Sequence, residues 1–178
     1  MHANNEVGSI QPIAECARIA RVHGIPFHTD AAQSVGKIAT QIATLGVDML
    51  SIAGHKLYAP KGIGALYVRN GLALEPLIHG AQHERGQTAG TESAVLCAAL
   101  GAACTLAMDL APNENIRNMR DAFWNGLPER FGARVVLNGH PTLRLPNTLN
   151  VSFLGAVGSE LLARFPQNLV ERARAPLP

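Results

Sequence analysis

The sequence predicts an α/β fold: a mixed, mostly parallel sheet with helices. Three observations carry this expectation. Val47 to Ala53 is an apolar run rich in Val, Leu and Ile, which suits a strand covered on both faces. Before it come a helical pattern, a short β-prone segment and a crossover, and this rhythm implies parallel strands with a right-handed connection. After Pro60, Gly62 and Gly64 a third strand, Ala65 to Arg69, returns too quickly for a crossover and is expected to pair antiparallel.

In chain order, Asn4-Asn5-Glu6-Val7-Gly8-Ser9 reads as a turn. Pro12 suits the first turn of a helix through Ile13, Cys16, Ala17 and Ala20 that stops at Gly24. Ile25 to Thr29 is β-prone and Asp30 closes it, leaving Ala31 to about Leu45 as the crossover. Beyond the third strand, His79 to Gly90 is a glycine-punctuated loop. Thr91 or Ser93 can cap a long apolar helix to about Leu110. Ala111-Pro112-Asn113 is a break before a more polar helix from Glu114 to about Leu127. Arg134 to Asn138 and Thr148 to Phe153 read as strands of a second layer, with a short helix from Ser159 to Arg164 after them. The stretch over 166–178 has no clear pattern and reads as an irregular tail.

Composition narrows the function classes. With 47% hydrophobic and 16% charged residues the 178-residue chain has the makings of a buried core, not of a disordered segment. A net charge of +2 without runs of like charge leaves no footprint for nucleic acid or an anionic membrane. The apolar run from Ala94 to Met108 contains Gly101 and Thr105 and is too short to span a bilayer. Cys16, Cys97 and Cys104 follow neither ligand nor disulfide spacing, and an odd number fits a reduced, cytoplasmic protein. Cys97 and Cys104, seven apart on one apolar helix face, are expected to pack in the core.

The chemistry is expected where the buried strand ends, at Gly54-His55-Lys56. An amine just past the C-terminal end of such a strand lies where open α/β sheets bind ligands, and it can form a Schiff base with a carbonyl compound. A lone Gly-His-Lys is ordinarily a solvated loop. Asp30 similarly reads either as a helix cap beside a surface Gln33 or as the carboxylate that keeps a pyridine nitrogen protonated. Taken together, Asp30 and Lys56 end two strands that the crossover makes parallel, so both open onto one crevice. Those are the two groups that pyridoxal phosphate needs most. Gln33 can donate to the ring's phenolic oxygen. Other patterns are weaker: Gly36-Lys37-Ile38 lacks the first glycine and final Ser/Thr of a phosphate loop, and Gly62-Ile63-Gly64 stands alone. His79 and His83 have no third partner to make a metal site.

Several stretches resemble the cysteine desulfurases of the class V aminotransferase group, of which selenocysteine lyase is a close relative. They are Asn4-Asn5-Glu6-Val7-Gly8, His28-Thr29-Asp30-Ala31-Ala32-Gln33-Ser34 and Gly54-His55-Lys56 through Pro60-Lys61-Gly62-Ile63-Gly64 to Tyr67. His83-Glu84-Arg85-Gly86, Ala89-Gly90-Thr91-Glu92 and Pro146-Asn147-Thr148 to Phe153 continue the similarity, which covers about residues 1–165 in order. The resemblance implies a partial aspartate-aminotransferase-like, fold type I pyridoxal-phosphate architecture, with the C-terminal half of the large cofactor-binding domain over 1–111 and part of a small C-terminal α+β domain over 112–165. It also implies that Lys56 holds the cofactor, Asp30 pairs with its pyridine nitrogen and Gln33 with its phenolic oxygen. By the same resemblance Asn5 lies near that oxygen and the substrate carboxylate. His55, Gly54 and the position of Ala53 serve the phosphate, and Thr91 reaches the phosphate of the neighbouring subunit in a homodimer. L-cysteine, or selenocysteine, is the implied substrate, with alanine and a persulfide as products and a sulfur-acceptor protein as a further partner.

Departures from the family pattern shape the expectation. Ala53 stands where relatives carry Ser and Thr88 where they carry Arg, each thinning the anion site. The family's preceding phosphate-loop residues and ring-stacking histidine, its catalytic-cysteine loop and its carboxylate-binding arginine have no counterpart here. The expectation is therefore a fragment of such an enzyme, inactive alone. Two alternatives stay open: a non-catalytic copy that binds only cofactor or an intact subunit, and another class V activity such as a selenocysteine lyase.

Overall fold

The structure, a computed structural model, describes residues 1–164; the tail expected over 166–178 lies outside the described residues. Helix α1 (Ile13–Val22) buries Ile13 and Ala17, one turn apart, against the sheet, and places Arg21 in its last turn. There the Arg21 guanidinium donates to the Gly46 carbonyl at 2.9 Å, satisfying an oxygen at the end of the short helix α2 (Ile42–Leu45). Strand β1 (His28–Asp30) pairs in parallel with β2 (Met49–Ala53), Asp30 opposite Ser51. Strand β3 (Gly64–Val68) pairs antiparallel with β2, Ala53 opposite Gly64, as the short connection requires.

One expectation is corrected. The run from Val47 to Ala53 reads as a strand covered on both faces, yet within β2 only Leu50 is buried and its other four residues are half-buried. The helices on hand cover the sheet incompletely, and β3 is almost wholly exposed. Ile13, Ala17, Ala31, Leu45, Val47 and Leu50 form one core cluster, and Leu57, Ala59, Leu100 and Ala103 a second. Val35 and Ile52 pack against both and join them.

Helix α3 (Ala94–Leu106) is capped by Ser93, whose hydroxyl accepts from the Leu96 N–H, so the cap is Ser93 and not Thr91. Only Leu100 and Ala103 of this apolar helix are buried; half-buried Cys104 packs against the second cluster as expected, whereas Cys97 is exposed, against the expectation that it packs in the core. Helix α4 (Pro112–Phe131) begins with Pro112 in its first turn and runs past Pro128 to Gly132, further than its polar pattern indicates. Strands β4 (Val135–Leu137) and β5 (Val151–Phe153) form a separate antiparallel pair, followed by helix α5 (Gly158–Ala163). Buried Arg144 ties this half to the first: one nitrogen donates to the carbonyls of both Val7 and Asn138.

Asp48 staples the sheet at the end away from the site. One carboxylate oxygen accepts the Phe27 N–H at 2.9 Å, just before β1, and the other pairs with Arg69, just after β3. The Phe27 hydrogen bond, then that of Arg69, holds the Asp48 carboxyl below the usual carboxylate range. A depressed carboxylate stabilises the fold above the unfolded value of about 4 and loses that contribution as pH falls through the folded value. Asp48→Asn is expected to lower stability by about 1–2 kcal/mol at pH 7, with the deficit shrinking below pH ~4. Urea unfolding of both proteins between pH 3 and pH 7 measures it, and a pH-independent deficit would contradict the staple.

Candidate cofactor site

β2 runs directly into a single 3₁₀ turn, Gly54–Lys56. Gly54 is required by contact: a Cβ there would lie 2.8 Å from both the carbonyl oxygen and Cγ2 of Ile63. Its N–H donates to that same carbonyl at 2.9 Å, and its own carbonyl accepts from Leu57 and Ala59. Leu57 is buried, and the next residue, Tyr58, adopts φ +65° with its side chain fully exposed. A left-handed tyrosine is uncommon for an L-residue and marks a chain turned sharply behind the lysine. The Lys56 side chain is left exposed at the C-terminal end of the sheet.

β1 ends on the same side. Asp30 is exposed; its Oδ1 accepts the Ala32 N–H at 2.8 Å, the local turn that such a residue ordinarily makes, and Oδ2 has no partner among the described residues. The Ala31 N–H donates to the Ser51 carbonyl, extending the pairing past the strand. Half-buried Gln33 follows within the turn. Its main-chain oxygen accepts from Lys37 Nζ at 3.0 Å and its Oε1 accepts from the same Nζ at 3.4 Å. The N-terminal segment lies alongside, because the His2 N–H donates to the Asp30 carbonyl at 2.7 Å and His2 Nδ1 meets the Ser34 hydroxyl at 2.9 Å. Burial, and then the neighbouring N-terminal ammonium, lowers the His2 pKa, so the ring sits neutral in that contact.

The remaining expected residues are placed less tightly. Asn5 is exposed on the turn, whose geometry is built by Asn4: its side-chain Oδ1 accepts the Glu6 and Val7 N–H groups, both at 2.9 Å. His55 is exposed, Ala53 half-buried and without a hydroxyl, and Thr91 exposed ahead of α3. The loop before Thr91 is closed by His83, whose Nδ1 accepts the Gly90 N–H, and Glu84 and Arg85 in it both have positive φ. A cleft of about 560 Å³ opens beside Lys56, lined by Lys37, Leu57, Tyr58 and the inward side of α3 and the start of α4. Asp30, Gln33, His55, Asn5 and Thr91 do not line it, so only Lys56 among the expected residues faces both the cleft and the sheet end. Lys37 was not anticipated as part of this region; the signal available was its position four residues after Gln33 in a tightly turning segment.

Residues 1–165 match the family described as Aminotransferase class-V. The chain belongs to that family. Class-V aminotransferases depend in general on pyridoxal phosphate. The chain is 45% identical to cysteine desulfurase IscS of Dictyoglomus turgidum over 174 residues, which is 96% of this chain and 44% of that protein. Its fold matches a NifS-like protein from Rickettsia africae with a TM-score of 0.82 at 28% identity, over 91% of this chain and 45% of that one. It also matches SspA, solved in complex with cysteine, with a TM-score of 0.71 at 39% identity, over 85% of this chain and 42% of that one. The chain thus spans a little under half the length of the relatives it matches, and its mixed sheet and helices are part of a type I pyridoxal-phosphate fold.

The Gly54 contact gives a stability test. Gly54→Ala is expected to cost about 1–3 kcal/mol, because the Ile63 backbone cannot yield as a flexible side chain would. Gly126→Ala, in the open interior of α4, is expected to stabilise by about 1 kcal/mol. Urea midpoints of the two variants should move in opposite directions.

Proposed function

We propose that this chain carries the cofactor-anchoring part of a cysteine desulfurase-like, pyridoxal-phosphate-dependent enzyme. The observation that supports it most is the juxtaposition of Lys56 and Asp30 at one end of a parallel strand pair. The donor set fits the group: an aldehyde needs the Lys56 amine, a pyridinium N–H needs an acceptor such as Asp30 Oδ2, and a phenolate needs an N–H donor such as Gln33. His55 and the backbone of Gly54 and Ala53 remain for the phosphate, with Asn5 near the phenolic oxygen and substrate carboxylate. When bound, the cofactor supplies an electron sink for a substrate amino group. Lys56 Nζ holds and returns the proton at the reacting carbon, and the Asp30 carboxylate holds the ring nitrogen's proton in place.

The relatives named as cysteine desulfurases, and the neighbour solved with cysteine, favour L-cysteine over selenocysteine or another amino acid. In that reaction the cysteine sulfur passes to an accepting thiol, leaving alanine and a persulfide. None of the residues lining the cleft is a cysteine, so the described residues supply no acceptor thiol beside Lys56. This favours cofactor binding without turnover by the isolated chain.

The rest of the reading is of the same kind. The two separate sheets support a division into the C-terminal half of a cofactor domain over 1–111 and part of a small domain over 112–165. The exposed apolar side chains of α3, Val95 and Leu106 among them, support a homodimer in which Thr91 serves the neighbouring site. Three free cysteines favour the cytoplasm, and no described helix is long and apolar enough to cross a membrane. A sulfur-acceptor protein completes the set of partners.

Incubation with pyridoxal phosphate and borohydride, followed by peptide mass spectrometry, tests the anchor. The expected result is a reduced pyridoxyl adduct on the Lys56 peptide, absent in Lys56→Ala. Asp30→Ala should weaken cofactor binding about 10-fold or more, the value of one charge-assisted hydrogen bond. Labelling spread over other lysines, or a Lys56→Ala protein that binds equally well, would sink the reading. No alanine is expected from cysteine with the isolated chain.

A further inference from the structure

Lys37 has no role in the function proposed above, yet the fold invests several contacts in it. Residues 31–38 wind in consecutive turns, with Ser34 and Val35 donating to the Ala31 carbonyl and Lys37 and Ile38 to the Ser34 carbonyl. In such a winding the fourth residue returns over the first, which brings Lys37 Nζ onto both oxygens of Gln33. The segment is held from outside as well. Buried Asn113 of α4 donates to the Gly36 carbonyl at 2.9 Å. Gly36, at φ +73°, lies so close to α3 that a Cβ would sit 3.0 Å from that of Ala107.

An ammonium has three donors and no acceptor, so only the oxygen of the Gln33 amide can face it. The Gln33 NH₂ is then the end left over. Lys37 also shares the 560 Å³ cleft with Lys56, and burial, then the Lys56 charge, lowers its pKa. A half-buried ammonium beside a second one is costly unless its donors are used, and the two Gln33 oxygens use them.

We propose that Lys37 is a positioning residue: it fixes the Gln33 amide with its oxygen inward, so that the NH₂ is presented to the ligand held by Lys56. This rests on the cofactor reading above. Without the ammonium the amide can rotate through half a turn and offer its oxygen, which repels a phenolate. A purely structural lysine, tying down only the Gln33 main-chain oxygen, would leave the bound ligand's spectrum unchanged.

The test uses the full chain and pyridoxal phosphate, following the affinity, wavelength and pH midpoint of the absorbance band that depends on Lys56. Lys37→Met is expected to weaken affinity about 3- to 10-fold, the worth of one oriented hydrogen bond, and to shift the band or its midpoint. Lys37→Arg should restore most of the loss, since it keeps charge and donors. In a Gln33→Ala background, Lys37→Met should have no further effect on affinity or wavelength, because on those two readouts the residue acts through that amide. Should Lys37→Met fail to fold in urea titrations, Lys37→Gln takes its place with the same expectation. A Lys37 variant with the wild-type affinity, band and midpoint overturns this proposal alone. An equal loss in the Gln33→Ala background overturns it too. A wild-type chain with no Lys56-dependent band overturns both this proposal and the cofactor reading.

Discussion

The parallel register of β1 on β2 is the constraint from which the candidate site follows. It sets Asp30 against Ser51, so the carboxylate and the lysine five residues beyond Ser51 leave the sheet at the same end. A slip of one residue would exchange the faces of Thr29 and Asp30 and put a charged residue where a buried one stands. Parallel pairing cannot be fixed by a tight turn, because its strands are joined only through a long crossover. The register is therefore pinned from both ends, by Asp48 bridging Phe27 and Arg69 at one and by the Ala31 N–H on the Ser51 carbonyl at the other.

Around that pair the chain relies on close backbone approach more than on large side chains. Gly54 touches Ile63, and Gly36 meets Ala107 and Leu57. These contacts stiffen the two segments that carry Lys56 and Gln33. The same thinness leaves α3 apolar and largely exposed, with Val95 and Leu106 each 78% exposed. A helix apolar on all sides is normally enclosed, so this surface is built for cover.

Much of the fold was legible because its signals are local. Pro12 marks a helix start, the short return after Gly64 sets an antiparallel strand, and Ser93 is one of the two caps that the sequence offers for α3, whereas Pro112 reads as a break and in fact opens α4. The errors lie where burial depends on distant chain. Apolar β2 and the Cys97 face of α3 read as core but lack covering layers among the described residues. The site divided similarly. Asp30, Gln33 and Lys56 stood out by residue type at strand ends, whereas Lys37 read as a failed phosphate loop and Asn4 as one more turn residue. Their partners, Gln33 Oε1 and the Glu6 and Val7 amides, are matters of geometry that no motif encodes.

By itself the sequence determined the order of elements, the family likeness and the amine, carboxylate and amide on which the chemistry rests. These follow from residue type, periodicity and turn chemistry over a few neighbouring positions. Only the tertiary structure decided that Lys56 faces an apolar cleft which Asp30 and Gln33 do not line, and that Lys37 shares that cleft while holding the Gln33 amide. The reason is physical. Which end of the Gln33 amide is left over is set by the turn that returns Lys37 onto it, and which side of a strand end opens to a cleft is set by α3 and α4 packed beside it.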